Sequence, residues 1–170
     1  ARCRPLASRL GMLVLSEAEA ELAAEHGLDF VLAKGNEAGG RVSPESTFVL
    51  LQRLLTWGRL PTYAWGGIGF STAAACWVAG AAGIVLDWQL ALLRESPLPE
   101  GARSVIAAMD GSETQAVEAP GGAEFRSLRR PPAEPSSETA NWPVGQDAAF
   151  ASLWREEAAT VAQVLGVIGE

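Results

Sequence analysis

The chain has 170 residues, 48% of them hydrophobic and 19% charged, and a formal net charge of −7. This is the composition of one ordinary globular domain, and without a basic patch it excludes the usual footprint of a nucleic-acid-binding protein. Two cysteines and one histidine exclude a disulfide framework and a Cys/His zinc site within this chain, and suit a reducing cytosol.

Residues 1–6 look superficially like the start of a secretion signal, but the apolar run 12–15 is too short and Glu17 and Glu19 follow at once. Met12 is a conceivable initiator and Ala1 is not, so the expectation is a chain cut from a longer protein. Residues 11–16 (GMLVLS) read as a short buried strand. Ser16 and Glu19 make an S-x-x-E capping box that opens a helix running to His26, with Gly27 as its stop. Residues 30–34 (FVLAK) are a second strand, followed by a glycine-rich loop over 35–42. Ser43-Pro44 is expected to start the next helix, which carries Phe48, Leu51, Leu54 and Leu55 near helical spacing. Residues 62–65 are a third strand ending in the turn 66–69 (GGIG). Ser71 is the expected cap of a helix over 72–79, Gly80 ends it, and 84–87 is a fourth strand; a further helix is expected over 101–109. The run 73–86 is apolar but broken by Gly80 and Gly83, so no segment has membrane length and no membrane partner is expected.

Strand and helix thus alternate through the first part of the chain. Short, apolar, unalternating strands belong to parallel sheets buried on both faces. The pattern is therefore α/β, a parallel sheet or barrel, with a doubly wound sheet as the open alternative. A complete (β/α)8 barrel takes about 250 residues and twice the strands read here. From 118 to 141 the prolines at 120, 131, 132 and 135, with Gly121-Gly122 and Ser136-Ser137, read as a linker that also holds the solvated pair Arg129-Arg130. Residues 142–147 (WPVGQD) then lead into an expected helix over 148–165. The expected division is a partial barrel over 1–112, an extension and linker over 113–141, and a segment 142–170. That last segment either begins a following module or packs back on the first.

Two glycine loops, 35–40 and 66–69, follow predicted strands, at the strand ends where barrels bind ligands. Glycine lets a backbone N–H approach an anion closely, and the helix behind it adds its dipole. Gly66-Gly67 is thus a candidate phosphate cradle, with a purely steric turn as the equal alternative.

The runs AKGNEAGG (33–40), LPTYAWGGIG (60–69) and AGAAGIVLD (79–87) together resemble the second half of the nitronate monooxygenase (2-nitropropane dioxygenase) superfamily, whose relatives include flavin-dependent enoyl-acyl carrier protein reductases. The wording GNEAGGRV, GGIG-x-x-TAAAC and VLD-x-QLAL looks most like the barrels embedded in giant polyketide and polyunsaturated fatty acid synthases. The resemblance covers residues 10–109 and implies the C-terminal half of a (β/α)8 TIM barrel, here followed by the linker and a terminal helix, with FMN in the barrel mouth. By carry-over, Gly66 and Gly67 contact the phosphate, while Lys34, Gly35, Glu37, Gly39 and Gly40 line the site beside the isoalloxazine. Arg41 stands where these proteins commonly have a histidine and is the implied catalytic position. A guanidinium does not exchange a proton near neutral pH as an imidazole does. Asp87 falls where a Gly-Thr or Gly-Ser usually completes the phosphate site, and it brings negative charge there.

The implied function is part of an FMN-dependent oxidoreductase barrel in a synthase, reducing enoyl thioesters on an acyl carrier domain. The remainder of the parent chain is its partner in the cytoplasm. Two alternatives stay open: a degenerate barrel kept as a structural or docking module, to which Arg41 and Asp87 point, and a free-standing nitronate monooxygenase. Elsewhere the bland readings lead. His26 is read as a helix-end residue, Cys76 as a small core residue, and Trp57, Trp77 and Trp154 as packing groups on helices. Trp65 and Trp88 fall at strand ends beside the expected mouth.

Overall fold

The first strand, Gly11–Val14 (β1), runs straight into a capped helix, Glu17–Glu25 (α1). Ser16 Oγ accepts from Glu19 N at 3.3 Å, and Glu19 Oε2 accepts from Leu15 N at 2.8 Å. The reciprocal pair satisfies two backbone donors, the second lying one residue further back than the usual box. His26 Nδ1 lies 2.8 Å from Leu22 O at the helix end, and Gly27 turns the chain at φ 67°. The computed structural model describes residues 4–119, 122–129 and 142–169. Cys3, Arg130 and the expected linker over 130–141 lie outside the described residues.

Phe30–Lys34 (β2), Gly40–Val42 (β3), Thr47–Trp57 (α2), Thr62–Trp65 (β4), Phe70–Ala79 (α3) and Gly83–Val85 (β5) follow in order. Four strands form one parallel sheet in the order β1-β2-β4-β5, with Leu13 beside Leu32 and Ala33 beside Ala64. Each neighbour is reached through a helix, and the result is half of a (β/α)8 barrel, as expected. Among the described residues β1 and β5 are each paired on one side only. Val14, Ala20, Ala23, Val31, Ala33, Leu50 and Leu54 form one core cluster between sheet and helices. Leu51, Ala64, Ile68, Cys76 and Ala81 form a second beneath α3.

Several expected boundaries move. The helix after the glycine loop starts at Thr47, not at Ser43-Pro44, because Ser46 Oγ accepts from Val49 N at 3.4 Å. The next starts at Phe70, and Ser71 is inside it. Thr72 Oγ1 accepts from Gly69 N at 2.7 Å and makes the cap that Ser71 was expected to make. β5 ends at Val85, and Asp87 opens a 3-10 turn, Trp88–Leu90. Trp77 is 74% exposed and is therefore not a packing group.

Part of the expected linker is folded. After the helix Glu100–Ala107 (α4), Thr114–Ala119 (β6) and Ala123–Leu128 (β7) form an antiparallel hairpin. β3 joins it as the outer strand, Gly40 beside Arg126 and Val42 beside Glu124. The two runs pair in unbroken register from Thr114 beside Leu128 to Ala119 beside Ala123, and Gly122, at φ 73°, lies in the connection between them. The helix expected over 148–165 is three pieces: a 3-10 turn Gln146–Phe150, then Ala151–Glu157 (α5) and Val161–Gly169 (α6). Ala158 breaks the run in extended backbone. Glu95 then accepts from Val161 N, the first of α6, and Gln163 Oε1 accepts from Thr160 N just before it.

The segment 142–169 shares its core with what precedes it. Val144, Ala148 and Ala151 pack with Leu92, Ile106 and Met109. Trp154 is wholly buried with its ring 4.2 Å from that of Phe70, and its Nε1 donates to Ile68 O at 3.3 Å.

Candidate functional site

The C-terminal ends of β2, β4 and β5 bring Lys34, Trp65 and Asp87 to one mouth. Lys34 is 7% exposed, and its Nζ lies 4.3 Å from the centre of the Trp65 ring. That cation–π contact replaces part of the hydration an ammonium loses on burial. Burial pulls the Lys34 pKa down, while Asp87 and Asp147 push it back up. Burial likewise pushes Asp87 up, against the opposing pull of Lys34 and of the Trp65 indole. Trp65 Nε1 is buried without a partner of hydrogen-bond geometry, so its effect on Asp87 is that of a nearby dipole.

The loop 35–40 is held from beneath. Glu37 Oε2 accepts from Thr47 N at 2.9 Å and from Thr47 Oγ1 at 2.8 Å, so this carboxylate sits on the N-terminus of α2. Arg126 donates to Asn36 O and, at 3.1 Å, to Thr114 Oγ1, tying the loop to the hairpin. A Cβ on Gly35 would meet Thr47 N at 2.1 Å, and one on Gly39 would meet Pro143 O at 1.7 Å. Both glycines are therefore sites of close backbone packing.

The turn after β4 adopts φ 120° at Gly66 and 64° at Gly67, a left-handed path that opens α3. Thr72 Oγ1 donates to Gly67 O at 3.0 Å, and buried Gln89 ties the same turn to the end of β5 through Ile68 O and Asp87 N. Above the turn is a cavity of about 530 Å3 lined by Gly66, Gly67, Thr72, Ser112, Phe150 and Asp147, among others. Its size suits a small ligand or a cofactor head.

Asp147 is the unusual member. It is fully buried, and neither carboxyl oxygen has a hydrogen-bond partner. Burial first, and then the charge of Asp87, push its pKa up to about 8, with Lys34 opposing. Lys34 and Asp147 are buried while Asp87 is exposed at the strand end, so of the two carboxyls Asp87 is the one better placed to carry the negative charge. Asp147 is thus a neutral carboxylic acid at pH 7, with an O–H that no protein group accepts.

The predicted residues separate into three groups. Glu37, Gly66 and Gly67 line the cavity. Lys34 and Asp87 form the charged cluster beside it. Gly35 and Gly39 are packed against protein, and Gly40 belongs to β3. Arg41 is elsewhere: its side chain is 51% exposed, and Nη2 pairs with Glu19 Oε1 at 2.9 Å on the outer surface. Alternation along β3 turns it away from the mouth, between buried Gly40 and Val42. Sequence reasoning missed Asp147 and Gln89; the available signal for Asp147 was a single acid between Val144 and Ala148 in an otherwise uncharged run.

The Gly66–Gly67 turn and, through Thr72, the first turn of α3 border the cavity where a phosphate ester such as that of FMN would sit. A Cβ on Gly66 would meet Thr47 Oγ1 at 2.6 Å, so that glycine answers to packing against α2. Among the described residues no lysine or arginine lines the cavity, while Glu37, Asp110 and Asp147 do. Glu37 is neutralised in part by the α2 N-terminus, and Asp110 by Ser112 N at 2.9 Å.

No family model and no curated protein matches the chain. Solved structures do. FabK from Thermotoga maritima superposes with a TM-score of 0.80 at 23% identity over 98% of this chain and 61% of that one. The nitroalkane oxidase from Streptomyces ansochromogenes gives 0.72 at 21% identity over 98% and 60%. The enoyl reductase domain of MlnA, from the macrolactin biosynthesis cluster of Bacillus amyloliquefaciens, gives 0.53 at 14% identity over 72% and 37%. This chain thus spans about three-fifths of the length of the first two. Over nearly all of its own length it has their fold.

Proposed function

We propose that this chain is part of a flavin-type oxidoreductase barrel, of the enoyl-reductase and nitronate-monooxygenase kind. In this reading it is built into a cytosolic polyketide or fatty acid synthase and acts on enoyl thioesters presented by an acyl carrier domain. The single observation that carries the proposal is the cavity of about 530 Å3 at the C-terminal ends of the parallel strands, floored by Gly66 and Gly67 at the start of α3. FMN held there would supply the hydride chemistry. The chain's own part is to seat the phosphate on backbone N–H groups, to carry buried Lys34 and exposed Asp87 beside it, and to close the mouth with residues 142–150. No helix among the described residues is long and apolar enough to cross a membrane.

The test is flavin binding by the purified protein, read by absorbance and by quenching of flavin fluorescence. Saturable binding of FMN that Gly67→Asp abolishes is the expected result, because a side chain and a charge enter the cradle. Equal binding by that variant places the phosphate elsewhere. A second reading, a barrel kept as a structural or docking module, is favoured by Arg41 facing solvent and by Pro143 O lying against Gly39. Absence of flavin binding by a well-folded native protein selects it.

A further inference from the structure

The parallel sheet is covered on one face and open on the other. Helices α1, α2 and α3 pack on the outer face, where Val14, Val31, Ala33 and Ala64 are wholly buried. The register puts Leu13, Phe30, Leu32, Tyr63, Trp65 and Val85 together on the inner face, and each of them is only half-buried. Lys34, at the strand ends, is the charged residue of that face. The rings spread toward both rims: a Cβ on Gly11 of β1 would meet the Phe30 ring at 2.1 Å, and one on Gly83 of β5 the Tyr63 ring at 2.8 Å. Beyond β5 the apolar surface continues into a cleft of about 470 Å3 between α3 and α6, with no charged residue in its lining, where Trp77 and Val78 are exposed. Parallel sheets are buried on both faces as a rule, and an apolar face between two unpaired strand edges is a surface that proteins cover.

We propose that a second copy of this chain covers the open face, the two four-stranded sheets closing into one eight-stranded parallel barrel about a two-fold axis. The occupant has to supply two unpaired parallel edges, an apolar face between them, and charge only at the strand ends. This sheet has all three itself, so the surface is self-complementary. A two-fold axis along the barrel sets β5 of each copy beside β1 of the other and keeps every strand parallel. Eight is also the strand number at which side chains from the wall fill the interior. The mouth is incomplete without the second copy: Lys34 and Trp65 project from the strand ends of one half, and closure sets the other copy's strand ends across from them. The inference stands on the sheet alone and does not depend on flavin binding.

The experiment is analytical ultracentrifugation of the full 170-residue chain across micromolar concentrations, with amide hydrogen exchange followed in β1 and β5. The expected mass is twice 17.8 kDa, and exchange in both edge strands should slow as the dimer forms. Leu13→Glu and Val85→Lys each put a lone charge on the inner face, one at each edge. Each should raise the dimer dissociation constant at least about a hundredfold, because the closed interior leaves that charge unpaired. Mixed together, the two variants should associate again to within about tenfold of the native chain: one seam of the mixed dimer is native, and the other brings the new carboxylate to the new ammonium. Circular dichroism checks that each variant is folded; if one is not, the mass and the exchange of the native chain decide. A native chain that stays monomeric throughout overturns the proposal and gives the open face to a half-barrel supplied by other polypeptide. So do open-ended larger assemblies, a dimer that Leu13→Glu leaves intact, and folded variants that do not re-associate when mixed, since each of these means that a different surface makes the contact.

Discussion

Replacing Asp147 with asparagine should stabilise the protein, and by an amount that depends on pH. In the unfolded chain an aspartate ionises near pH 3.9; folded, this one holds its proton until about 8. A folded pKa raised in this way means that stability from this group is fully present below the unfolded pKa and is lost as pH rises through the folded one. Each unit between them is worth about 1.4 kcal/mol, so the whole span is on the order of 5 kcal/mol. Relaxation around the buried carboxyl reduces that figure, and the unpartnered amide that asparagine brings takes back about 1–3 kcal/mol. A net gain of about 2 kcal/mol at pH 8 remains, or roughly 6 °C in Tm for a chain of this size. Thermal and urea unfolding of both proteins should be followed from pH 5 to pH 9, where the surface carboxylates are already ionised. The native curve should fall with pH while that of Asp147→Asn stays level, and the gap between them should widen up to pH 8 and then hold. Parallel curves, or a variant less stable than the native protein at pH 8, would refute the buried-acid account.

Three further substitutions test the packing. Gly39→Ala places a Cβ at 1.7 Å from Pro143 O, so residues 142–145 must shift; overpacking of this kind costs about 1–3 kcal/mol and should lower the urea midpoint. Trp154→Ala empties a wholly buried site and leaves Ile68 O with one donor fewer; a loss of about 3–5 kcal/mol is expected in the same assay. Arg41→His removes a surface pair with Glu19, so it should change stability by less than about 1 kcal/mol and leave flavin binding unaltered. A large change in flavin affinity would put Arg41 in contact with the mouth after all.

The parallel half of the fold was legible because β1, β2, β4 and β5 are continuous apolar runs separated by helices with glycine stops, as buried parallel strands require. The Gly66–Gly67 turn was legible for the same local reason. The hairpin was not. Thr114–Ala119 has no alternation, Ala116 and Val117 being adjacent, Gly121-Gly122 reads equally as linker, and the strand that completes the sheet, Gly40–Val42, lies far upstream. Arg41 shows the limit of a motif carried over by position. The resemblance put it at the mouth, and one step of strand alternation put it outside. Asp147 was invisible as a site because its character comes from Lys34, Asp87 and Glu37, which reach it from three separate parts of the chain.

The clamp on the loop 35–42 also fixes the order in which the protein can be completed on the ribosome. All four strands of the parallel sheet lie at or before Val85. Gly40–Val42 cannot find its neighbour until Ala123–Leu128 has emerged, and Arg126 reaches Asn36 across a separation of 90 residues. The cavity wall waits longer still, for Gln146–Phe150. At synthesis rates of about 5–20 residues per second, several seconds separate the synthesis of β5 from that of the last cavity wall. A ligand captured there can be bound only after translation has passed the last of these segments.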